Sequence, residues 1–117
     1  MTRYVTAATA LLTFSLVAMT PASAQGGATV QGAGSTASYE CDGGPARIEG
    51  AGNTITFTGN CSSLTIEGAS NIVTVDLAPG ARISVEGASN TVKWRMPGKA
   101  APAKRIVGAA NRVTRIP

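Results

Sequence analysis

Apolar and polar positions alternate along most of the chain, and small residues break the alternation at regular intervals. The clearest stretch begins at Leu64. Leu64 and Ile66 alternate with Thr65 and Glu67, Gly68-Ala69-Ser70-Asn71 interrupts, and Val73 and Val75 then alternate with Ile72, Thr74 and Asp76. Alternation rich in β-branched residues predicts half-buried strands. The Gly and Asn between them predict a turn, because both residues tolerate positive φ at low cost. A helix is disfavoured by the period of two and by the glycine content.

The same unit recurs. Ile48 to Phe57 is IEGAGNTITF, Ile66 to Val75 is IEGASNIVTV, Val85 to Trp94 is VEGASNTVKW and Ile106 to Arg115 is IVGAANRVTR. Val30 to Tyr39, VQGAGSTASY, is a degenerate first copy with Ser35 in place of Asn. The glycines at 32, 50, 68, 87 and 108 are 18, 18, 19 and 21 residues apart, and Asn53, Asn71, Asn90 and Asn111 keep the same step. Two strands and two turns in so few residues leave no room for a βαβ crossover. The repeat fits one coil of a solenoid, with successive coils about 4.8 Å apart like neighbouring strands. The expected fold is therefore all-β, a short parallel β-solenoid of about five coils with two strands per coil. A sandwich of short antiparallel strands competes with it, but does not require Gly and Asn to recur in register.

In a solenoid, like residues stack into columns. Ile48, Ile66, Val85 and Ile106 would form one inward column; Ile55, Val73, Val92 and Val113 a second; Phe57, Val75 and Trp94 a third, closed by the charge of Arg115. The extra residues of the later coils, Ala78-Pro79-Gly80-Ala81 and Met96 to Ala103, lie between one copy and the next, so insertions should gather on one edge.

The chain has 117 residues, enough for one small domain. Its first residues have the layout of a secretory signal peptide. Arg3 is the only charge, a mostly apolar run extends from Ala7 to Met19, and Pro21-Ala22-Ser23-Ala24 offers an A-x-A cleavage site. The run is shorter than the roughly 20 residues a bilayer span needs. The expected organisation is a signal peptide over residues 1–24 and one solenoid domain over 25–117, secreted or periplasmic, with no transmembrane segment after cleavage. In such an oxidising compartment Cys41 and Cys61, 20 residues apart and so on adjacent coils, are expected to form a disulfide.

The recurring Gly-x-x-Asn-x-Val/Ile pattern, with a cysteine pair near its start, resembles the secreted bacterial family catalogued as domain of unknown function 3060. The resemblance covers about Tyr39 to Ile116. It implies a repeat-built exported domain without an assigned activity, and brings no catalytic residues to carry over. The first copy, lacking Asn, departs from the pattern as a cap would.

Candidate chemistry is sparse. The sequence has no His, which removes Ser/His/Asp and Cys/His arrangements, the usual general base and a normal zinc site. The GAGS and GAGN runs sit between strands rather than before a helix, so they do not build a phosphate loop. No cofactor and no specific nucleic-acid motif is expected. Asn53, Asn71, Asn90 and Asn111 are expected to form a structural ladder of side-chain hydrogen bonds between coils. Glu49, Glu67 and Glu86 align outward and would repel one another unless a cation, Arg47 or Arg82 relieves them. A solvated face is the simplest account of that row; a cation site or carboxylate catalysis is the alternative. Phe57 and Trp94, sharing a column, are expected in the core.

The charge is uneven. The net charge is +4, yet all six acids precede residue 87, and Lys93, Arg95, Lys99, Lys104, Arg105, Arg112 and Arg115 follow it. The preferred expectation is that these bases keep the open end of the sheet soluble and unpaired. The sequence thus points to a non-enzymatic structural or interaction module, with an envelope polymer or another exported protein as partner. The alternative is a polyanion- or anionic-surface-binding module with Lys104, Arg105, Arg112 and Arg115 as anion contacts. A small carboxylate-based hydrolase is a weaker alternative.

Overall fold

The computed structural model describes residues 26–117, and the leader expected at 1–24 lies outside the described residues. Eight strands follow one another: β1 (Ala28–Ala33), β2 (Thr36–Glu40), β3 (Pro45–Ala51), β4 (Thr54–Ala69), β5 (Ile72–Ala88), β6 (Thr91–Arg95), β7 (Ala103–Ala109) and β8 (Arg112–Arg115). Every pairing among them is parallel. The pairings form two walls. Wall one joins β1, β3, the C-terminal halves of β4 and β5, and β7. Wall two joins β2, the N-terminal halves of β4 and β5, β6 and β8. The chain is a parallel β-solenoid of about five turns. An antiparallel sandwich is incompatible with this register. β4 and β5, of 16 and 17 residues, each run unbroken from wall two around a corner into wall one.

The repeat columns are the strand register. Ile48 pairs with Ile66, Ile66 with Val85 and Val85 with Ile106. Ile55, Val73, Val92 and Val113 follow one another in wall two, as do Phe57, Val75, Trp94 and Arg115. Side chains alternate across a strand, so one residue in two from each wall enters a shared core that includes Ile48, Phe57, Ile66, Val85, Val92 and Trp94. Each such aliphatic side chain contributes about 1.5–3 kcal/mol when fully buried. The last coil departs from its column: Ile106 is 44% exposed, with no further coil covering it among the described residues. Both insertions fall at the corner where wall two passes into wall one. The β4–β5 register shifts around Cys61, and residues 96–102 leave the sheet before β7.

The opposite corner, Gly-x-x-Asn, is built differently from the sequence expectation. The Asn residues do not take positive φ. That conformation belongs to the residue before each of them, Gly52, Ser70, Ser89 and Ala110, and to Gly34 before Ser35, with φ between 57° and 69°. The first glycine of each turn is needed for another reason. A Cβ on Gly68 would run into the carbonyl oxygen of Gly50 in the coil below, and its φ of 143° is open only to glycine.

Asn is required at this corner for its side chain. Asn71 Nδ2 donates to Gly50 O in the preceding coil and to Asn90 Oδ1 in the next, at 3.0 and 3.1 Å. Asn71 Oδ1 accepts from Asn53 N and Asn53 Nδ2, both at 3.1 Å. Asn90 repeats the arrangement with Gly68 and Asn111. Asn53, Asn71 and Asn90 are fully buried, so these bonds satisfy groups that water cannot reach.

The disulfide joins Cys41 to Cys61 at the other corner, between the first and second coils. Both sulfurs are buried, and Leu77 and Met96 continue the same corner beyond them. Two measurements check this account. Replacing Cys41 and Cys61 together by Ser is expected to lower stability by about 3 kcal/mol, the closure entropy of a loop this size; denaturant midpoints equal to wild type would show that the bond constrains nothing. Asn71→Ala is expected to cost about 1–3 kcal/mol by stranding buried partners. Thr74→Ala, on the outward side of wall two, should stay within about 0.5. Equal melting temperatures for the two variants would contradict the ladder's role.

Candidate functional site

Because the inside of the rod is packed, the chemistry the chain presents lies on its two walls and its ends. On wall one, Gln31, Glu49, Glu67 and Glu86 stand in register as one outward row. Arg47 relieves the row. Its Nε donates to Glu49 Oε1 at 2.8 Å and its Nη2 to Glu67 Oε2 at 3.1 Å. Gln31 Nε2 donates to the other Glu49 oxygen at 3.1 Å. The hydrogen bond that Arg47 donates to Glu49, and then the charge of Glu67, raise the Arg47 pKa above its ordinary value. Arg82, the other base expected to serve this row, makes no ion pair among the described residues, and neither does Glu86.

The four expected anion contacts do not form one surface. β7 pairs Lys104 with Ile83, an inward position, and β8 pairs Arg115 with Trp94, also inward. Both cations lie over the exposed end of the core. Lys104 Nζ is 5.6 Å and Arg115 Cζ 5.1 Å from the centroid of the Trp94 ring. Arg115 Nη2 also donates to Met96 O at 3.1 Å and Gly98 O at 2.6 Å, tying down the excursion before β7. Trp94 beneath them is 3% exposed, and its Nε1 is buried without a partner. Lys104 and Arg115 are thus a lid of two cation–π contacts, each of the order of 0.5–1 kcal/mol at an exposed site.

Arg105 and Arg112 point the other way. Arg105 pairs with Ser84 on the outside of wall one, and Arg112 pairs with Thr91 on the outside of wall two. Lys93 also projects from wall two, while Arg95 is held by Asp76 at 3.5 Å. That ion pair lines a shallow dent of about 270 Å³ with Asn60, Leu77, Met96 and Pro97. A second dent, of about 370 Å³, lies at the β5–β7 edge of wall one and is lined by Arg82, Ile83, Ser84, Ala103, Lys104 and Arg105. Sequence reasoning missed this grouping and the inward position of Lys104. Phase alone would have found the latter, since Lys104 precedes Ile106 by two residues as Ile83 precedes Val85.

The coils that carry the Glu row, the ladder and the dents match a known family model, described as protein of unknown function (DUF3060), over residues 48–103. Over those residues the chain is similar to that family. The match spans the second to the fourth coils, while the first coil and most of the last lie outside it. No curated protein and no solved structure matches the chain.

The lid has a testable consequence. β7 and β8 are edge strands with unpaired backbone groups, and an open apolar edge is a template for another chain. Replacing Lys104 by Leu and Arg115 by Val, residues suited to their inward columns, is expected to give concentration-dependent end-to-end association. Light scattering reads it directly. A double variant no more associated than wild type would show that the two cations do not guard the end.

Proposed function

We propose that this chain is an exported, non-enzymatic structural or interaction module, secreted or periplasmic. The observation that carries the reading is the register. Coils stacked in parallel align outward side chains into rows along both walls, while the inward ones fill a continuous apolar core. A rod of this kind offers a partner a surface already ordered, so little conformational entropy is lost on contact. An envelope polymer or another exported protein is the partner class that suits it. The buried Cys41–Cys61 disulfide supports an oxidising compartment. Among the described residues, no helix is long and apolar enough to cross a membrane.

The carboxylate hydrolase reading draws little support from the Glu row. Such enzymes need one carboxyl to give a proton while the other acts as base or nucleophile. Glu49 and Glu67 are instead both engaged by one guanidinium, that of Arg47. A second reading, binding of a polyanion, is favoured by a specific observation. Arg82, Lys93, Arg105 and Arg112 project from the last two coils and make no ion pair among the described residues, whereas Arg47 and Arg95 both do.

Fractionation of native cells with mass spectrometry tests the principal reading. The chain should be recovered outside the cytoplasm, beginning at Gln25 and two hydrogens lighter than its dithiol form. Its association with the envelope should survive Glu49→Gln with Glu67→Gln. Recovery from the cytoplasm with two free thiols would overturn export, and loss of envelope association in the Gln variant would point back to the carboxylates.

A further inference from the structure

We infer that wall one carries an anion-binding site at its C-terminal end, formed by Arg82, Ser84, Ala103 and Arg105, whose ligand is an acidic group on a polysaccharide. This rests on the polyanion reading above and goes beyond it by assigning the site and the ligand. The four residues make a square on the sheet. Arg82 pairs with Ala103 and Ser84 with Arg105 across the β5–β7 ladder. The two small residues occupy one diagonal, and with the arginines, Ile83 and a third cation, Lys104, they line the dent of about 370 Å³. The two arginines occupy the other diagonal, with backbone positions about 7–8 Å apart. From there two guanidinium forks reach over the dent, and the fork geometry suits the paired oxygens of sulfate, phosphate or carboxylate. Ser84 lines the same dent, and its hydroxyl can donate to the same oxyanion.

The same wall shows what an arginine does here when a carboxylate is supplied. Arg47 and Arg105 share one outward row, through Thr65 and Ser84. Arg47 has Glu49 two residues on and is bound to it. Two residues beyond Arg105 stands Val107, paired with Glu86 where the Glu row ends. Glu86, on the remaining diagonal, makes no ion pair with Arg105. The sequence thus removes the internal partner in the one coil where the dent opens, and an external acid takes its place.

A polysaccharide suits the dent better than a lipid surface. A flat charged surface would recruit exposed cations of either wall through long-range attraction, whereas the dent receives one acidic group at a time. Outward hydroxyls continue along wall one at Ser63 and Thr65, in line with Arg82 and Ser84, where sugar hydroxyls can bond.

Titration of the full mature chain with a heparin-derived tetrasaccharide, an oligomer of uronic acid and phosphatidylglycerol vesicles tests the inference. Wild type should bind the oligosaccharides saturably, and added salt should weaken binding because exposed charges are screened within about 8 Å at physiological ionic strength. Arg82→Gln with Arg105→Gln should weaken it by about tenfold or more, the loss expected when a charge-assisted hydrogen bond is removed. Ala103→Leu, which fills the dent and leaves the charge unchanged, should weaken it as well. Lys93→Gln with Arg112→Gln, an equal charge change on wall two, should have little effect, and melting temperatures should not move. Equal losses in both double variants, or undiminished binding by Ala103→Leu, would reduce the site to diffuse charge and overturn it. Loss only in the Lys93/Arg112 variant would overturn the site and leave the polyanion reading standing. No oligosaccharide binding by wild type would sink both, and binding to vesicles alone would overturn the ligand.

Discussion

The parallel stack depends on the hydrogen bonding of the Gly-x-x-Asn corner. Along a wall, backbone N–H and C=O groups pair with the coils on either side, but at the corner the chain changes direction and the ladder loses step. Ser70 N donates forward to Ala88 O, while Ile72 N donates back to Asn53 O. Between them, the N–H of Asn71 would face a coil that offers no backbone acceptor. Asn90 Oδ1 supplies that acceptor at 3.1 Å, and the rest of the carboxamide bonds the coil behind. A side chain with donor and acceptor on one short planar group is what the position demands; Asp, which when ionised only accepts, would leave the glycine carbonyl and the next Asn oxygen without a donor.

This corner also fixes register. A slip of one residue would turn every inward side chain outward, and it would bring a Cβ onto the glycine carbonyls stacked at the same corner. The columns of Ile, Val, Phe and Trp follow from that constraint, as do the outward rows. The ends follow too. Ser35, in the first coil, needs only to donate its N–H to Asn53 Oδ1 at 3.0 Å, because no earlier coil asks it for an acceptor. That is why the first copy can lack Asn and still begin the rod.

Much of this was legible in the sequence because a solenoid turns sequence period directly into spatial adjacency. The columns through Ile66 and Val73, the disulfide between Cys41 and Cys61 and the corner that collects insertions all follow from a shared step in independent positions. What escaped depends on details within the step. Positive φ falls on Ser70, Ser89 and Ala110, whose side chains do not advertise it, and not on the neighbouring Asn. The family match covers residues 48–103 and carries no activity with it. The dent on wall one escaped because it joins residues from two coils across the longest insertion, where the repeat step changes from 19 to 21.

The basic end shows why clustering in sequence is a poor guide to clustering in space on a β-strand. Lys104 and Arg105 are neighbours in the chain, yet alternation sends one over the core and the other onto wall one. Arg112 and Arg115 are three apart, and again one faces out from wall two while the other covers Trp94. The two expectations for this region, protection of an open end and contact with an anion, therefore do not compete for the same side chains. A rod must end somewhere, and its last coil leaves a large aromatic uncovered unless something soluble lies across it. Long cationic side chains do this well, since their stems cover apolar surface while their heads stay in water. Charge in the inward phase thus serves the end of the fold. Charge in the outward phase is divided: Arg95 pairs with Asp76, while Arg105 and Arg112 make no ion pair among the described residues and stay open to solvent.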